Sequence, residues 1–393
     1  MTRRISFVLA LLFLVSATSS PFAQAQENRL QVMATHTILA DVVANVAGDA
    51  ADVIALMPVN ADPHTFVPAP SDVARLADAD LVFVNGVFFE EGLLEVIENA
   101  AVEVNIVEAS QCVPIIPFGA HDHDLEAEHA AADAAETAAP LPEGEFAERC
   151  AGYYEAMTIL HGGDAHADHQ GDEAEQDAQH GHGVEPLGPL YALDCSGGHG
   201  HEAEAAADHD HIESGCDPHV WWEPHNVIYW TMTIRDSLAE LDPANADAYA
   251  ANAAAYIDAL DALAHDEIHP LIESLPAERR ILVTDHDSLG YFANAYGFEV
   301  VGVVIPGGST LAEPGSAETA ALIDLIRQEG VPAIIVGSTV SSVMADQVSA
   351  ETGAQITRIY TDSLSEAGGP AGTYLDFMRY NAGVIVGALG ASS

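Results

Sequence analysis

One stretch decides the fold: residues 281–295 read ILVTDHDSLGYFANA. Residues 281–284 are apolar or β-branched and predict a short buried strand. Residues 288–295 carry apolar side chains at helical spacing and predict a helix. The polar residues between them, 285–287, therefore lie at the carboxyl end of a strand that leads into a helix. Open parallel sheets bind ligands beyond the carboxyl ends of their strands, so this βα unit predicts where a site lies as well as how the chain folds.

The same alternation of strand and helix recurs on both sides of a long helical pattern at residues 243–275. Before it, strands are predicted at 30–35, 52–57, 80–85 and 102–107, and helices at 38–46, 71–77 and 90–100. After it, strands are predicted at 281–284, 299–305, 333–336 and 355–360, and helices at 288–295, 317–329, 341–352 and 374–389. The pattern predicts an α/β fold of two lobes, each a parallel sheet of about four βα units, joined by one long helix.

The N-terminus has the features of a secretory signal peptide. Arg3 and Arg4 precede an apolar run at residues 5–15, and residues 23–25, Ala-Gln-Ala, offer a cleavage site. The apolar run is shorter than the ~20 residues that a transmembrane helix needs. Because no cysteine lies near the cleavage point, we expect a periplasmic or secreted protein, cleaved near Ala25, without a direct membrane anchor.

The domain boundaries follow from these patterns. We assign residues 1–25 to the signal peptide, 26–240 to the N-terminal lobe, 241–277 to the connector helix and 278–393 to the C-terminal lobe. The N-terminal lobe contains an insertion at about residues 119–216, whose composition differs from that of the rest of the chain.

The insertion is rich in histidine and in acidic residues. Residues 121–213 contain 12 of the 19 histidines, 23 acidic residues and one arginine, a composition that predicts a largely mobile segment. Clustered imidazoles raise the local ligand concentration, so the insertion is a candidate zinc-capture loop or zinc buffer. The alternative is a solvated insert with incidental affinity. The candidate loop histidines are His121, His123, His180, His182, His199, His201, His209 and His211.

All four cysteines lie within or beside this insertion; they are Cys112, Cys150, Cys195 and Cys216. An even number of cysteines in an exported protein favours disulfides, and four cysteines allow three pairings. We therefore expect disulfides that staple the insertion, and the sequence leaves their pairing open. Zinc binding by thiolates is the alternative.

The net charge excludes two classes of partner. The chain has 11 Lys+Arg, all of them arginine, against 61 Asp+Glu, which gives a formal net charge of −50. A protein this acidic does not bind a nucleic acid backbone or an anionic lipid surface electrostatically. Outside residues 121–213 there remain 38 acidic residues, more than one metal site needs. That part of the charge is typical of a solubility adaptation.

Four candidate metal ligands lie at strand ends or in the loops beside them, two in each lobe. The N-terminal lobe has two Asp-Pro-His motifs, which end at His64 and His219. The C-terminal lobe has His286 and Asp362 after predicted strands. Three imidazoles and one carboxylate suit a tetrahedral Zn²⁺ site, and they leave a bound ion with a net charge near +1.

Other histidines fit a ligand role less well. We expect His36 and His225 to lie around the site or to face solvent rather than to bind the metal. Residues 265–269, His-Asp-Glu-Ile-His, approach the zinc-hydrolase motif H-E-x-x-H, so a secreted zinc hydrolase is an alternative function. In this segment the glutamate is displaced by one residue and turns away from a metal, so we expect an exposed helix face and no enzymatic activity.

The candidate ligands belong to longer motifs that resemble the metal-binding receptors of zinc and manganese ABC importers, the cluster A-I solute-binding proteins. The resemblance covers about residues 30–112 and 216–391. The motifs are TILAD at 37–41, DPHTF at 62–66, DPHVW at 217–221, VTDHD at 283–287 and YTDSL at 360–364.

The resemblance implies a rigid connector helix, a metal site in the cleft between the lobes, a monomer, and a membrane permease as partner. It also implies the ligands His64, His219, His286 and Asp362. Zinc receptors of the family usually have histidine at the third position and manganese receptors glutamate, so His286 implies Zn²⁺, with Mn²⁺ as the alternative. The expected function is capture of Zn²⁺ outside the cytoplasm and its delivery to the permease for high-affinity uptake.

Overall fold

The computed structural model describes residues 29–93, 96, 97, 99, 104–118, 144–161, 186–193, 195, 215–312 and 314–390. Within these ranges the chain forms two lobes, each built on a four-stranded sheet. No helix in this part of the chain combines the length and the apolar character that a bilayer-spanning segment needs. The predicted signal peptide and most of the insertion lie outside the described residues.

The N-terminal lobe contains four strands: β1 (Leu30–Ala34), β2 (Ala51–Ala55), β3 (Leu81–Val84) and β4 (Asn105–Glu108). They form a parallel sheet in the order β2-β1-β3-β4. The first two α-helices of this lobe are α1 (Thr37–Ala47) and α2 (Pro70–Ala77). Helix α1 buries Ile38, Val42 and Val46, which share one face at four-residue spacing and pack α1 against the sheet.

Short elements frame the insertion: β5 (Pro114–Ile115), α3 (Glu145–Leu160) and β6 (Gly188–Pro189), with β5 and β6 antiparallel. The structure has two disulfides, Cys112–Cys150 and Cys195–Cys216. The first fastens α3 to the chain that follows β4. The second fastens the chain after β6 to the residue that precedes the second Asp-Pro-His motif. The expected disulfides are therefore present, and the structure supplies the pairing that the sequence left open.

The connector departs from a single regular helix. Helix α4 (Pro224–Leu241) packs against α5 (Ala246–Ala262), which continues through a π-helical segment, Leu263–Ile268, into α6 (His269–Glu273). Pro270 accounts for the π segment, because it has no N–H for the carbonyl four residues earlier and its ring would clash with that carbonyl. The connector predicted at 243–275 is therefore helical, but it is not α-helical throughout, because it widens into a π-helix at Leu263–Ile268.

The C-terminal lobe contains strands β7 (Ile281–Thr284), β8 (Glu299–Val303), β9 (Ala333–Gly337) and β10 (Gln355–Ile359). Its helices are α7 (Gly290–Tyr296), α8 (Ser316–Glu329), α9 (Val343–Thr352) and α10 (Tyr374–Gly390). The strands form a parallel sheet in the order β10-β9-β7-β8. The predicted fold class, an α/β protein of two parallel-sheet lobes, is confirmed.

The two lobes contact each other along the connector and across the cleft. Helix α5 packs against α1 of the N-terminal lobe, whereas the π segment and α6 pack against α10 of the C-terminal lobe. Across the cleft, the Thr310 hydroxyl donates to Asp62 Oδ2 (2.7 Å). The backbone N–H of Leu364 donates to Thr37 Oγ1 (2.9 Å). These contacts hold the carboxyl edges of the two sheets close together.

Candidate metal centre

Three of the candidate ligands meet between the two sheets. His64 follows β2 in the loop before α2, His219 precedes α4, and His286 follows β7. Their ligating nitrogens all lie within 4.8 Å of one another. The ring centroids are 5.7 Å apart for His64 and His219, 5.9 Å for His64 and His286, and 5.3 Å for His219 and His286. A single ion between the rings is within reach of all three.

The three rings are buried, and each has a nitrogen without a partner. His64 is 2% exposed and the other two are 0% exposed. The Nε2 atom of each ring makes no hydrogen bond to any described residue. A buried polar atom without a partner lowers the stability of a protein by about 1–3 kcal/mol. Three such atoms close together therefore indicate that a ligand binds them. Unprotonated imidazole nitrogen is a common metal donor.

Carboxylates orient two of the rings. Asp217 Oδ1 lies 2.9 Å from His219 Nδ1, and Asp285 Oδ1 lies 2.9 Å from His286 Nδ1. A carboxylate at Nδ1 holds the proton on that nitrogen, aims Nε2 toward a metal and makes it more basic. The backbone N–H of Gly337, at the end of β9, donates to Asp285 Oδ2 (2.7 Å), and a Cβ at this position would have no room.

Asp362, the fourth predicted ligand, follows β10 and lies outside the group of three histidines whose ligating atoms are within 4.8 Å of one another. It is close enough to help raise the pKa of His286. Its side chain is 1% exposed, and Oδ2 accepts hydrogen bonds from the hydroxyls of Thr339 and Thr361, both at 2.8 Å. The other oxygen, Oδ1, has no partner among the described residues. A carboxylate fixed through one oxygen presents the other to a cation without further ordering. We refer to His64, His219, His286 and Asp362 as the cleft centre.

Burial and charge shift the histidine pKa values in opposite directions. Burial lowers the pKa of His64 well below its ordinary value, and the neighbouring rings lower it further. Burial also lowers the pKa of His286, but three nearby carboxylates, first that of Asp285, outweigh this effect and raise the pKa to about 9. A metal that binds His286 at neutral pH therefore displaces a proton, so metal affinity decreases as the pH falls.

The family model for ZnuA, described as the zinc-uptake complex component A, periplasmic, matches residues 32–388. The chain belongs to this family. The resemblance found in the strand-end motifs is thereby confirmed. The family consists of metal-binding receptors that serve ABC transporter permeases, and this chain is one of them.

Relatives of this ZnuA-family chain carry both zinc and manganese names. The manganese-binding lipoprotein MntA of Halalkalibacterium halodurans is 26% identical over 388 residues, which cover 98% of this chain and 97% of the relative. The manganese ABC transporter substrate-binding lipoprotein PsaA of Streptococcus mitis is 26% identical over 378 residues, covering 95% and 93%. The solved structure of the periplasmic zinc-binding protein TroA of Treponema pallidum aligns with a TM-score of 0.64 at 25% identity, covering 92% and 99%.

Aromatic side chains that the sequence analysis did not single out surround the centre of this ZnuA-family chain. The ring centroid of Phe89 lies 5.4 Å from that of His64 and 5.9 Å from that of His219. His36 packs behind Phe89 at 5.2 Å and is 1% exposed, and burial lowers its pKa to about 3. His36 is therefore a neutral ring one layer behind the candidate ligands, and it lies outside the group of ligating atoms described above.

Two sets of sequence candidates lie elsewhere. His225 belongs to a separate group with His161, Asp261 and His265, and the ligating atoms of that group also lie within 4.8 Å of one another. Neither His161 nor Asp261 stood out in the sequence. The eight candidate loop histidines lie outside the described residues.

The hydrolase-like segment does not form a pair of zinc ligands around its glutamate. The ring of His269 packs against Tyr296 with centroids 5.6 Å apart, whereas His265 faces the group that contains His225. Glu267 accepts two hydrogen bonds from the Arg379 guanidinium, at 2.6 and 2.7 Å. The glutamate is thus held by an ion pair on α10 rather than poised beside a metal.

Replacing Asp217 with asparagine should weaken zinc binding about 10–100-fold, because the amide keeps the shape of the side chain but loses the charge that holds the Nδ1 proton of His219. Competition with a chromophoric chelator at fixed pH and salt measures the change. Asp247→Asn is the matched control, since Asp247 is exposed at the start of α5. Equal affinities in the two variants would mean that the Asp217 carboxylate does not position the ring.

Proposed function

We propose that this receptor captures Zn²⁺ outside the cytoplasm and delivers it to the permease of an ABC importer. One observation carries the proposal: three buried histidines, each with an Nε2 atom that has no partner among the described residues, bring their ligating atoms within 4.8 Å of one another. The buried Asp362 carboxylate, which also has an oxygen without a partner among these residues, is the fourth donor that we propose. A set of three nitrogens and one oxygen suits Zn²⁺, which takes four ligands in a tetrahedron at about 2.0–2.2 Å.

Manganese is the alternative ligand, and the relatives MntA and PsaA, which are named for manganese, favour it. The donor atoms favour zinc. Mn²⁺ prefers oxygen-rich sites with more than four ligands, whereas imidazole suits Zn²⁺. The third donor of the cleft centre is the imidazole of His286, and Asp285 orients it. The proposal therefore depends most strongly on this side chain.

The contacts between the lobes support a small movement on metal binding. Asp62 accepts a hydrogen bond from the backbone N–H of His64 (3.0 Å) as well as from Thr310 across the cleft. The loop that carries one candidate ligand is thus tied to the opposite lobe, and the connector packs against both lobes. We infer that the ion biases the lobes toward one packed arrangement that the permease recognises, by local shifts rather than by wide hinge opening.

Two further features of the proposal concern location and the insertion. We propose that the signal peptide is removed near Ala25 and that the mature protein works in the periplasm or outside the cell. MntA and PsaA are named lipoproteins, and fractionation of cells that produce the full chain separates soluble from membrane-bound protein. Weak zinc binding by the loop histidines also stays a prediction.

Metal competition in a His286→Glu variant tests the zinc assignment. The Irving–Williams order already places zinc above manganese at most sites, so the decisive quantity is the zinc-to-manganese affinity ratio and not the zinc affinity alone. We expect the glutamate variant to lower this ratio at least about tenfold, or 1.4 kcal/mol, relative to the unmodified protein. Metal-free protein is titrated with each ion against calibrated chelators.

His269→Glu is the matched control, because it makes the same substitution away from the cleft centre and should leave the ratio unchanged. Equal affinity of the unmodified protein for both ions, or an unchanged ratio in His286→Glu, would contradict the zinc assignment. Uptake of labelled zinc by cells that carry the cognate permease, lost in His286→Ala, tests delivery.

A further inference from the structure

A second group of metal-binding side chains lies apart from the cleft centre. It consists of His161, His225, Asp261 and His265, which we call the helix cluster. The chain supplies them from the turn after α3, the start of α4, the end of α5 and the π segment. Three separate stretches of sequence thus bring three imidazoles and one carboxylate to one place on the molecule.

The spacing of the helix cluster matches the coordination shell of a small cation. Asp261 Oδ1 lies 3.2 Å from His265 Nδ1, 3.5 Å from His161 Nε2 and 3.8 Å from His225 Nε2. Four ligands at about 2.0–2.1 Å from a tetrahedral Zn²⁺ lie about 3.3 Å from one another. The imidazole rings meet edge to face, with centroids 4.8, 5.1 and 5.5 Å apart. One ion can therefore fit with small side-chain adjustments.

Two of the polar atoms that point into the helix cluster lack other partners, whereas His265 Nδ1 also lies 3.2 Å from the backbone carbonyl oxygen of Asp261. His225 Nε2 and Asp261 Oδ1 are buried and have no hydrogen-bond partner among the described residues. Glu223 Oε1 lies 3.0 Å from His225 Nδ1 and fixes the other side of the ring. The cleft centre uses the same arrangement, in which the acid two residues earlier, Asp217, holds His219. A carboxylate at Nδ1 that aims Nε2 at a shared point is the usual support of a metal-bound histidine.

The backbone conformation also favours this arrangement of side chains. Asp261 and His265 are four residues apart, so they share one face of the connector. His265 lies within the π segment, and single π-helical turns occur frequently at functional sites because they re-aim side chains. His161 and His265 remain partly accessible, with 35% and 49% of their side chains exposed, so an ion can enter from solvent.

We propose that the helix cluster is a second binding site for Zn²⁺ or a chemically similar borderline divalent cation. Three neutral imidazoles and the Asp261 carboxylate leave a bound dication near +1, and Glu223 lies beside it to offset that charge. A bound ion would join the last turn of α3 to α4 and α5. The Cys112–Cys150 disulfide fastens α3 near its first half, so the ion would fix its other end, where the chain enters the rest of the insertion.

Zinc titration in a background without the cleft centre tests the proposal. The full chain carrying His219→Ala and His286→Ala should still bind one zinc more tightly than the loop histidines do. Adding His161→Ala and His265→Ala should weaken that site more than about 100-fold, because even outer partners of metal ligands are worth 10–100-fold. Cobalt gives a second readout, since tetrahedral Co²⁺ should show strong visible absorption that the added substitutions remove.

The matched control replaces two other histidines of the insertion, His166 and His169, in the same background. It removes the same number of imidazoles and should leave the tight site and its cobalt spectrum intact. Equal losses in the two variants, or no tight site in the cleft-disabled protein, would overturn the proposal. Zinc should also slow hydrogen exchange in residues 145–160 of the cleft-disabled protein, and this protection should be absent from the His161/His265 variant.

These outcomes separate the helix cluster from the proposed receptor function. If unmodified protein loses a tight zinc only through His161→Ala and His265→Ala, the helix cluster stands and zinc capture in the cleft fails. If it loses a tight zinc only through His219→Ala, the cleft centre captures zinc and the proposal of a second site at the helix cluster fails. Circular dichroism confirms that each variant keeps its fold, and the exposed positions of His161 and His265 favour this result.

Discussion

Replacing His219 with alanine should remove tight zinc binding: we expect the affinity to fall more than about 100-fold, or about 2.7 kcal/mol. His219 is fully buried and its Nε2 has no partner, while Asp217 holds its Nδ1 at 2.9 Å. The substitution removes a metal donor and also leaves the buried Asp217 carboxylate without its ring partner. Titration of metal-free protein against a calibrated zinc chelator measures the loss.

His269→Ala is the control for this experiment, because it removes an imidazole whose ring packs against Tyr296, outside both groups of candidate ligands. It should keep the unmodified affinity. Undiminished zinc binding by His219→Ala would contradict the cleft centre as the main site. The stoichiometry then shows whether the remaining ion depends on His161 and His265.

The alternation of strands and helices could be predicted from the sequence because its signals are local. Strand β7 occupies Ile281–Thr284, the residues predicted for it, since a strand buried on both faces is a short apolar run with polar residues at its end. The exact conformation of the connector was harder to predict. Its residues have good helix-forming character on either side of Pro270, and only the competition between that proline and the preceding carbonyls determines that Leu263–Ile268 widens into a π segment.

The candidate site, too, could be predicted from the sequence only in part. Two Asp-Pro-His motifs drew attention to His64 and His219, but the motifs act differently in the structure. Asp217 contacts the ring of His219, whereas Asp62 contacts only the backbone of His64 and reaches across the cleft to Thr310. Identical local sequences cannot reveal this difference, because it depends on which element of the other lobe packs against each loop.

The helix cluster could not be predicted from spacing at all. His161 and His225 are separated by 64 positions, and the turn and the helix that carry them meet only in the folded chain. Within residues 265–269, the four-residue spacing of the two histidines suggested that His265 and His269 act together. The relevant partner of His265 is Asp261, four residues earlier, and tertiary packing alone distinguishes the two pairings.

The largest effect on stability is expected from truncating Trp221 to alanine, which should lower the free energy of unfolding by about 3–5 kcal/mol. Trp221 is 0% exposed, and its ring centroid lies 4.8 Å from that of Phe89 and 5.4 Å from that of His219. Its indole N–H donates to the carbonyl of Thr361 (3.1 Å), the residue before Asp362. Alanine leaves a cavity, an unpaired carbonyl and a ligand ring without its support, so zinc affinity should fall as well. Urea unfolding of metal-free protein, followed by circular dichroism, measures the stability.

The adjacent Trp222 provides the control that separates packing from metal binding. It is also 0% exposed, but its ring packs against Phe292 and Phe377, at 5.9 and 5.0 Å, and it touches no candidate ligand ring among the described contacts. Trp222→Ala should therefore destabilise the metal-free protein by a similar amount while leaving zinc affinity close to that of the unmodified protein. Equal losses of zinc affinity in the two variants would mean that zinc affinity depends only on the global stability of the protein. In that case Trp221 would not link the candidate ligands of one lobe to the backbone of the other.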